Sequence, residues 1–115
     1  MKKYLTNEPS CPVDYAFRRI GGKYKGRILW YLHVKAVMRY GELRKTLSDI
    51  TPKMLTQTLR ELEDDSLISR KVYHEVPPKV EYSLTEVGRQ LIPFIDYLRI
   101  WGNEQMEKQK AQQIV

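Results

Sequence analysis

The sequence predicts a mainly α domain that carries one two-stranded β-hairpin. Three observations lead there. Apolar residues recur at helical spacing over most of the chain, hydroxyl residues that cap helices stand at Thr51 and Thr85, and between those caps the period changes to two around Pro77-Pro78. At 115 residues the chain fits one domain.

The elements follow in order. Pro12 suits a helix first turn, where its missing N–H has no intrahelical acceptor, and Val13, Phe17 and Ile20 follow at helical spacing until Gly21-Gly22 stops the run. A second helix is expected over residues 24–34 with Ile28, Leu29 and Leu32 inward, and a third over 40–47 with Leu43 and Leu47 at i, i+4. Thr51-Pro52 is the clearest helix start: an N-cap hydroxyl followed by proline at the first helical position. Leu55, Leu59 and Leu62 then form one buried stripe, and Glu63-Asp64-Asp65 stands at the end where carboxylates oppose the helix dipole, a placement with no evident folding reason. Strands are expected over 68–76 and 79–84, because Val80, Tyr82 and Leu84 alternate with Glu81 and Ser83, while Pro77-Pro78 belongs in the loop. From Thr85 a last helix should run to about Met106 with Val87, Leu91, Ile95, Leu98 and Trp101 along its apolar side, kinked or opened at Pro93.

Composition narrows the function classes. Lys and Arg number 20 against 14 Asp and Glu, and a net charge of +6 points to a polyanionic partner. No apolar run approaches the ~20 residues that span a bilayer, and residues 1–14 lack the apolar core of a secretory signal, so a cytoplasmic protein is expected. One cysteine and two histidines leave little material for a metal cage, and no cofactor is expected. Neither His33 nor His74 has a carboxylate at relay spacing, and Gly21-Gly22-Lys23 lacks the rest of a phosphate loop, so an enzyme is not expected.

Helix, helix, short helix, tight connection, capped helix and hairpin is the order of a winged helix-turn-helix, whose second helix of the pair enters the major groove. If the leucine stripe points inward, 100° per residue puts Lys53, Gln57 and Arg60 almost opposite, with Thr56 beside them. Those are a phosphate anchor, an amide that reads adenine, a guanidinium that reads guanine, and a hydroxyl. Arg70, Lys71, His74 and Lys79 surround the hairpin tip, and Arg39, Arg44 and Lys45 add charge around the third helix, suiting phosphate contacts that give register but no sequence information. The expected function is therefore sequence-specific binding of double-stranded DNA. The rival reading, a winged helix that docks a protein instead, predicts an acidic or apolar recognition face. Membrane-surface binding needs a basic helix with a continuous apolar face, which no segment supplies.

The first and last helices carry more apolar surface than one small domain can cover, which marks a homodimer interface through Val13, Phe17, Ile92, Ile95, Leu98 and Trp101. A two-fold dimer would set its recognition helices about 34 Å apart, matching a palindromic operator.

Particular segments carry a resemblance. Cys11-Pro12-Val13, residues 20–25 (IGGKYK), residues 53–62 (KMLTQTLREL), and residues 76–89 (VPPKVEYSLTEVGR) closely resemble the HxlR family of bacterial transcriptional regulators. The match covers residues 11–102, leaving 1–10 as a flexible N-terminal segment and 103–115 as a polar helix end or tail. The resemblance implies a MarR-like homodimeric winged helix-turn-helix, in a family where some members respond to electrophiles or oxidants. Three residues depart from its pattern: Tyr24 stands for a more usual Trp, Pro52 for a polar residue, and Ser66 for a Gly that would take a left-handed C-cap more easily. The resemblance also implies that Cys11 senses oxidants or electrophiles, and a helix N-terminus with Lys2, Lys3, Arg18 and Arg19 nearby suits a reactive thiol. The alternative is a structural cysteine packed against the dimer helices.

Overall fold

A computed structural model describes residues 11–114, so the expected flexible segment over 1–10 lies outside the described residues. The helices are α1 (Pro12–Ile20), α2 (Lys25–Lys35), α3 (Tyr40–Thr46), α4 (Pro52–Asp64), α5 (Glu86–Arg89) and α6 (Ile92–Ile114). Three strands, β1 (Val37–Met38), β2 (Ile68–Tyr73) and β3 (Lys79–Leu84), form an antiparallel sheet in the order β1-β3-β2.

The buried stripes meet where the sequence places them. Ile28, Leu29 and Leu32 of α2, Leu43 of α3 and Leu55, Leu59 and Leu62 of α4 are all buried. They form one core with Leu67, Ile68, Tyr82 and Leu84 of the hairpin region and Ile92 and Ile95 of α6. Each such leucine contributes roughly 1.5–3 kcal/mol of transfer free energy. Of the three apolar residues expected to anchor α1, only Ile20 is buried.

Both ends of α4 are closed by local chemistry. The Thr51 hydroxyl accepts from the Met54 N–H at 3.1 Å, and Pro52 occupies the first helical position. At the other end Leu67 N–H reaches the Leu62 carbonyl at 3.0 Å and Ser66 N–H reaches Glu63 at 2.9 Å, a Schellman closure. Ser66 therefore sits at φ 60, the left-handed conformation expected of it.

The sheet differs from expectation by one strand. β1 has only two residues, too short for an alternating pattern to register, and it pairs Val37 with Ser83 and Met38 with Tyr82 after the chain turns at Ala36, φ 68. The wing proper runs from Ile68 opposite Leu84 to Tyr73 opposite Lys79, so β2 ends at Tyr73 and not at Val76.

The single last helix expected from Thr85 is two helices. Thr85 does cap a helix, its hydroxyl accepting from Gly88 N–H at 2.9 Å, but α5 ends after one turn at Arg89. A continuous helix would drive the Pro93 ring against the Arg89 carbonyl, so the chain breaks first and Pro93 falls in the first turn of α6, where its missing N–H costs nothing. Val87 is consequently exposed instead of lying on the apolar side. α6 then continues to Ile114, past the expected end near Met106. Its last turns hold helix-forming Glu, Lys, Gln and Ala, with a Lys110–Glu107 pair at 3.6 Å, and need no apolar period.

The return from wing to α5 is tightly packed. Leu67 accepts the Thr85 N–H at 3.1 Å, and the Thr85 hydroxyl donates to the Ser66 carbonyl at 2.7 Å. A methyl group on Gly88 would run into that same Leu67 carbonyl, which cannot retreat without losing Thr85. Gly88→Ala should therefore lower stability by about 1–3 kcal/mol. Gly41→Ala, in open space on α3, should be neutral or stabilising by up to about 1 kcal/mol. Urea denaturation of the two variants checks the contrast, and equal midpoints would contradict it.

Candidate nucleic-acid interface

With Leu55, Leu59 and Leu62 turned inward, α4 presents Lys53, Gln57 and Arg60 to solvent. Thr56 is half-buried at the edge of that face, its hydroxyl 3.4 Å from the Tyr40 hydroxyl. No carboxylate stands on α4 before Glu61. This face therefore offers two cations, an amide and a hydroxyl, which matches the donors and acceptors of phosphates and base edges.

Polar contacts that the sequence pattern did not reveal hold α4 in place. The Tyr40 hydroxyl donates to the Pro52 carbonyl at 3.0 Å, tying the start of α3 to the start of α4. Asp49, in the connection between those helices, is gripped by both terminal nitrogens of Arg27 at 3.0 Å. Lys23 stands 3.4 Å from the same carboxylate, and the Tyr24 hydroxyl donates to the Asp49 carbonyl at 3.3 Å. The hydrogen bonds from Arg27 hold the Asp49 carboxyl down at about 2, against an ordinary 3.8. The reciprocal bond raises the Arg27 guanidinium. Such contacts join residues 12 or more apart in sequence and leave no periodic trace.

The basic residues do not form one patch. Arg70 pairs with Tyr82 across the wing, so its side chain shares the face turned toward α4. There it lines a cleft of about 280 Å³ with Tyr40, Thr56, Arg60 and Glu63. Lys71 and Lys79 occupy the opposite face, both ammonium groups over the Tyr73 ring at 4.8 and 4.5 Å, and Lys79 is 3.8 Å from Glu81. His74 is exposed in the hairpin connection. Arg39, the residue before α3, and Arg44 and Lys45 in its last turn are also exposed. Glu42 accepts from the Arg39 backbone N–H at 2.9 Å, which closes the start of that helix.

Two carboxylates near the C-terminal end of α4, Glu61 and, from the acidic run, Asp65, acquire partners on other helices. Lys25, at the start of α2, lies 3.3 Å from Glu61, and Arg19 at the end of α1 lies 3.9 Å from Asp65, whose side chain is 1% exposed. Carboxylates that oppose the α4 dipole are thus compensated by cations of two other helices.

Cys11 is exposed immediately before α1, its carbonyl accepting from Tyr15 N–H at 2.9 Å. Val13, Phe17, Leu98 and Trp101, expected at an interface, are 62%, 51%, 43% and 55% exposed. Phe94, Tyr97 and Ile100 extend the same apolar surface, with Phe17 and Phe94 edge to face at 6.2 Å. Ile92 and Ile95 require a correction: at 7% and 9% exposed they complete the core of the single chain, because α6 enters against α2 before it leaves the domain. Among the described residues no group of three His, Cys, Asp or Glu is placed to hold a metal, and no helix is long and apolar enough to cross a membrane.

Comparison with known proteins agrees with this geometry. The sequence profile of the HxlR-like helix-turn-helix matches residues 19–110. The regulatory protein MalR of Fusobacterium mortiferum is 49% identical over 98 residues, covering 85% of this chain and 92% of that one. The HTH-type transcriptional regulator YybR of Bacillus subtilis is 48% identical over 101 residues, 88% of this chain and 80% of its own length. Among solved structures, the redox regulator HypR in its reduced form superposes with a TM-score of 0.81 at 42% identity, covering 88% of this chain and 99% of that one. Its oxidised form gives 0.78.

The Asp49 clamp predicts an acid-sensitive fold. A carboxyl depressed in the folded state adds stability that is complete above about pH 4 and lost as pH falls toward its folded value. Urea midpoints measured from pH 5 to pH 2 should therefore fall for the wild type, and Asp49→Asn should be less stable at neutral pH with a flatter acid limb. An unchanged acid limb in the variant would show that the clamp does not carry this dependence.

Proposed function

Because the chain belongs to the HxlR-like helix-turn-helix family and is a DNA-binding transcriptional regulator, we propose that it reads its operator with the outward face of α4. Lys53 and Thr56 contact the backbone and groove edge, and Gln57 and Arg60 contact bases. Arg70 follows α4 into the groove margin, while Arg39, Arg44, Lys45, Lys71, His74 and Lys79 meet flanking phosphates. The observation that carries this reading is the α4 surface itself: a capped, rigidly seated helix whose first two turns hold no carboxylate. A protein-docking surface would be apolar or acidic there.

The working unit is a two-fold dimer, covered by the exposed apolar faces of α1 and α6 and presenting two copies of α4 to a palindromic site. In that arrangement the apolar side chains of Phe17, Leu98 and Trp101 leave water.

Cys11 is the point at which oxidants or electrophiles act. Two observations support this: similarity to a redox regulator solved in both oxidation states, and contacts that link the helix following Cys11 to α4. The Cys11 backbone carbonyl accepts from Tyr15 N–H in the first turn of α1, Arg19 stacks on the Tyr15 ring at 3.4 Å, and Arg19 reaches Asp65 at the end of α4. Oxidation that joins Cys11 to a second thiol, from the partner copy or from a small molecule, displaces α1 and with it the anchor of the recognition helix.

A gel shift of the gene's own upstream region tests the DNA and thiol readings together. Arg60→Ala should weaken specific binding about 5- to 100-fold, and diamide should change wild-type binding while leaving Cys11→Ser unaffected. A full diamide response in Cys11→Ser would remove the thiol from the mechanism, and absence of any specific shift would return the protein-docking reading. Sedimentation at micromolar concentration should show a dimer for the wild type and a shift toward monomer for Trp101→Glu. A wild-type monomer would contradict the paired-helix arrangement.

A further inference from the structure

The side chain best placed to read a base is not free to turn. Gln57 donates from Nε2 to Glu61 Oε1 at 3.3 Å, one helical turn further along α4. A carboxylate only accepts, so the chemistry fixes which end of the amide is nitrogen. Glu61 is fixed in turn: its Oε2 lies 3.3 Å from Lys25 Nζ, and the two side chains are only 19% and 10% exposed. Lys25 thus restrains the Glu61 carboxylate through the oxygen that Gln57 does not use. The Gln57 amide therefore has a set polarity along α4, nitrogen toward the C-terminal end and oxygen toward the N-terminal end.

Polarity matters because adenine presents an ordered pair in the major groove, the N7 acceptor and the N6 amine, and glutamine meets both at once. A freely rotating amide fits that pair in either sense. A fixed amide fits it in one sense only. Resting on the reading that α4 enters the major groove, we infer that Lys25 and Glu61 are positioning residues that make Gln57 discriminate A·T from T·A at one base pair of each half-site. The arrangement also accounts for a lysine nearly buried at the start of α2. Its charge is used to hold the carboxylate that orients a base-reading group on another helix.

The experiment begins with duplexes selected from a randomised library by the full chain, followed by affinities for the selected duplex with each base pair inverted in turn. Two variants with the net charge of the wild type separate orientation from folding. Lys25→Arg keeps both the cation and the acceptor-only carboxylate for Gln57, whereas Lys25→Met with Glu61→Leu removes both. The wild type and the acceptor-keeping variant should prefer A·T over T·A about tenfold at one pair per half-site. The acceptor-lacking variant should fall to within about twofold there, as should Gln57→Ala, with preferences elsewhere and the salt dependence unchanged. Replacing that adenine by 7-deazaadenine should weaken the wild type. If both variants keep the full A·T preference, or if the variant lacking the carboxylate blurs every position alike, the positioning role is wrong. If the wild type enriches no duplex at all, the major-groove reading fails first.

Discussion

A helix has one geometry, and burying one stripe of it decides what the opposite stripe can do. Leu55, Leu59 and Leu62 leave water against α2 and the sheet, and at 100° per residue this turns Lys53, Gln57 and Arg60 outward. Every other feature of the recognition surface depends on that rotation being held. The Thr51 cap and Schellman closure fix where α4 begins and ends, while the Tyr40 hydroxyl and the Arg27–Asp49 clamp fix its start against α3 and α2. The DNA-reading face is thus a consequence of core packing, with the polar contacts preventing slippage along it.

The acidic C-terminal half of α4 shows why a local rule can be overridden. Carboxylates at a helix C-terminus are unfavourable in isolation by a few tenths to about 1 kcal/mol. Here Glu61 and Asp65 face Lys25 and Arg19, cations of α2 and α1. The same groups link the end of the recognition helix to the helix that begins at Cys11. A locally unfavourable charge placement becomes a connection between α1 and the end of α4.

α6 has two environments along its length. Ile92 and Ile95 belong to the core, and beyond them Tyr97, Leu98, Ile100 and Trp101 are exposed in the single chain. The molecule measures 57 × 39 × 25 Å, elongated as expected when a 23-residue helix leaves the domain that starts it. Apolar surface of this kind, continued by Val13 and Phe17 of α1, is what a second copy would cover.

The sequence by itself determined the element types, the inward stripes, both threonine caps, the left-handed Ser66 and the outward face of α4. All of these are set by side chains within a few residues of one another, through helical or alternating periodicity and capping. The family could be read from short segments for the same reason: they lie at caps, turns and the recognition helix, where local chemistry is specific. Tertiary structure alone decided the rest. β1 exists because β3 offers an edge to two residues, and Ile92 and Ile95 became core because α6 crosses α2. Asp49, Tyr40, Arg27, Lys25 and Glu61 gained their roles from partners 12 to 36 positions away in sequence. A polar contact between distant segments has no period, so only the folded chain can bring it into view.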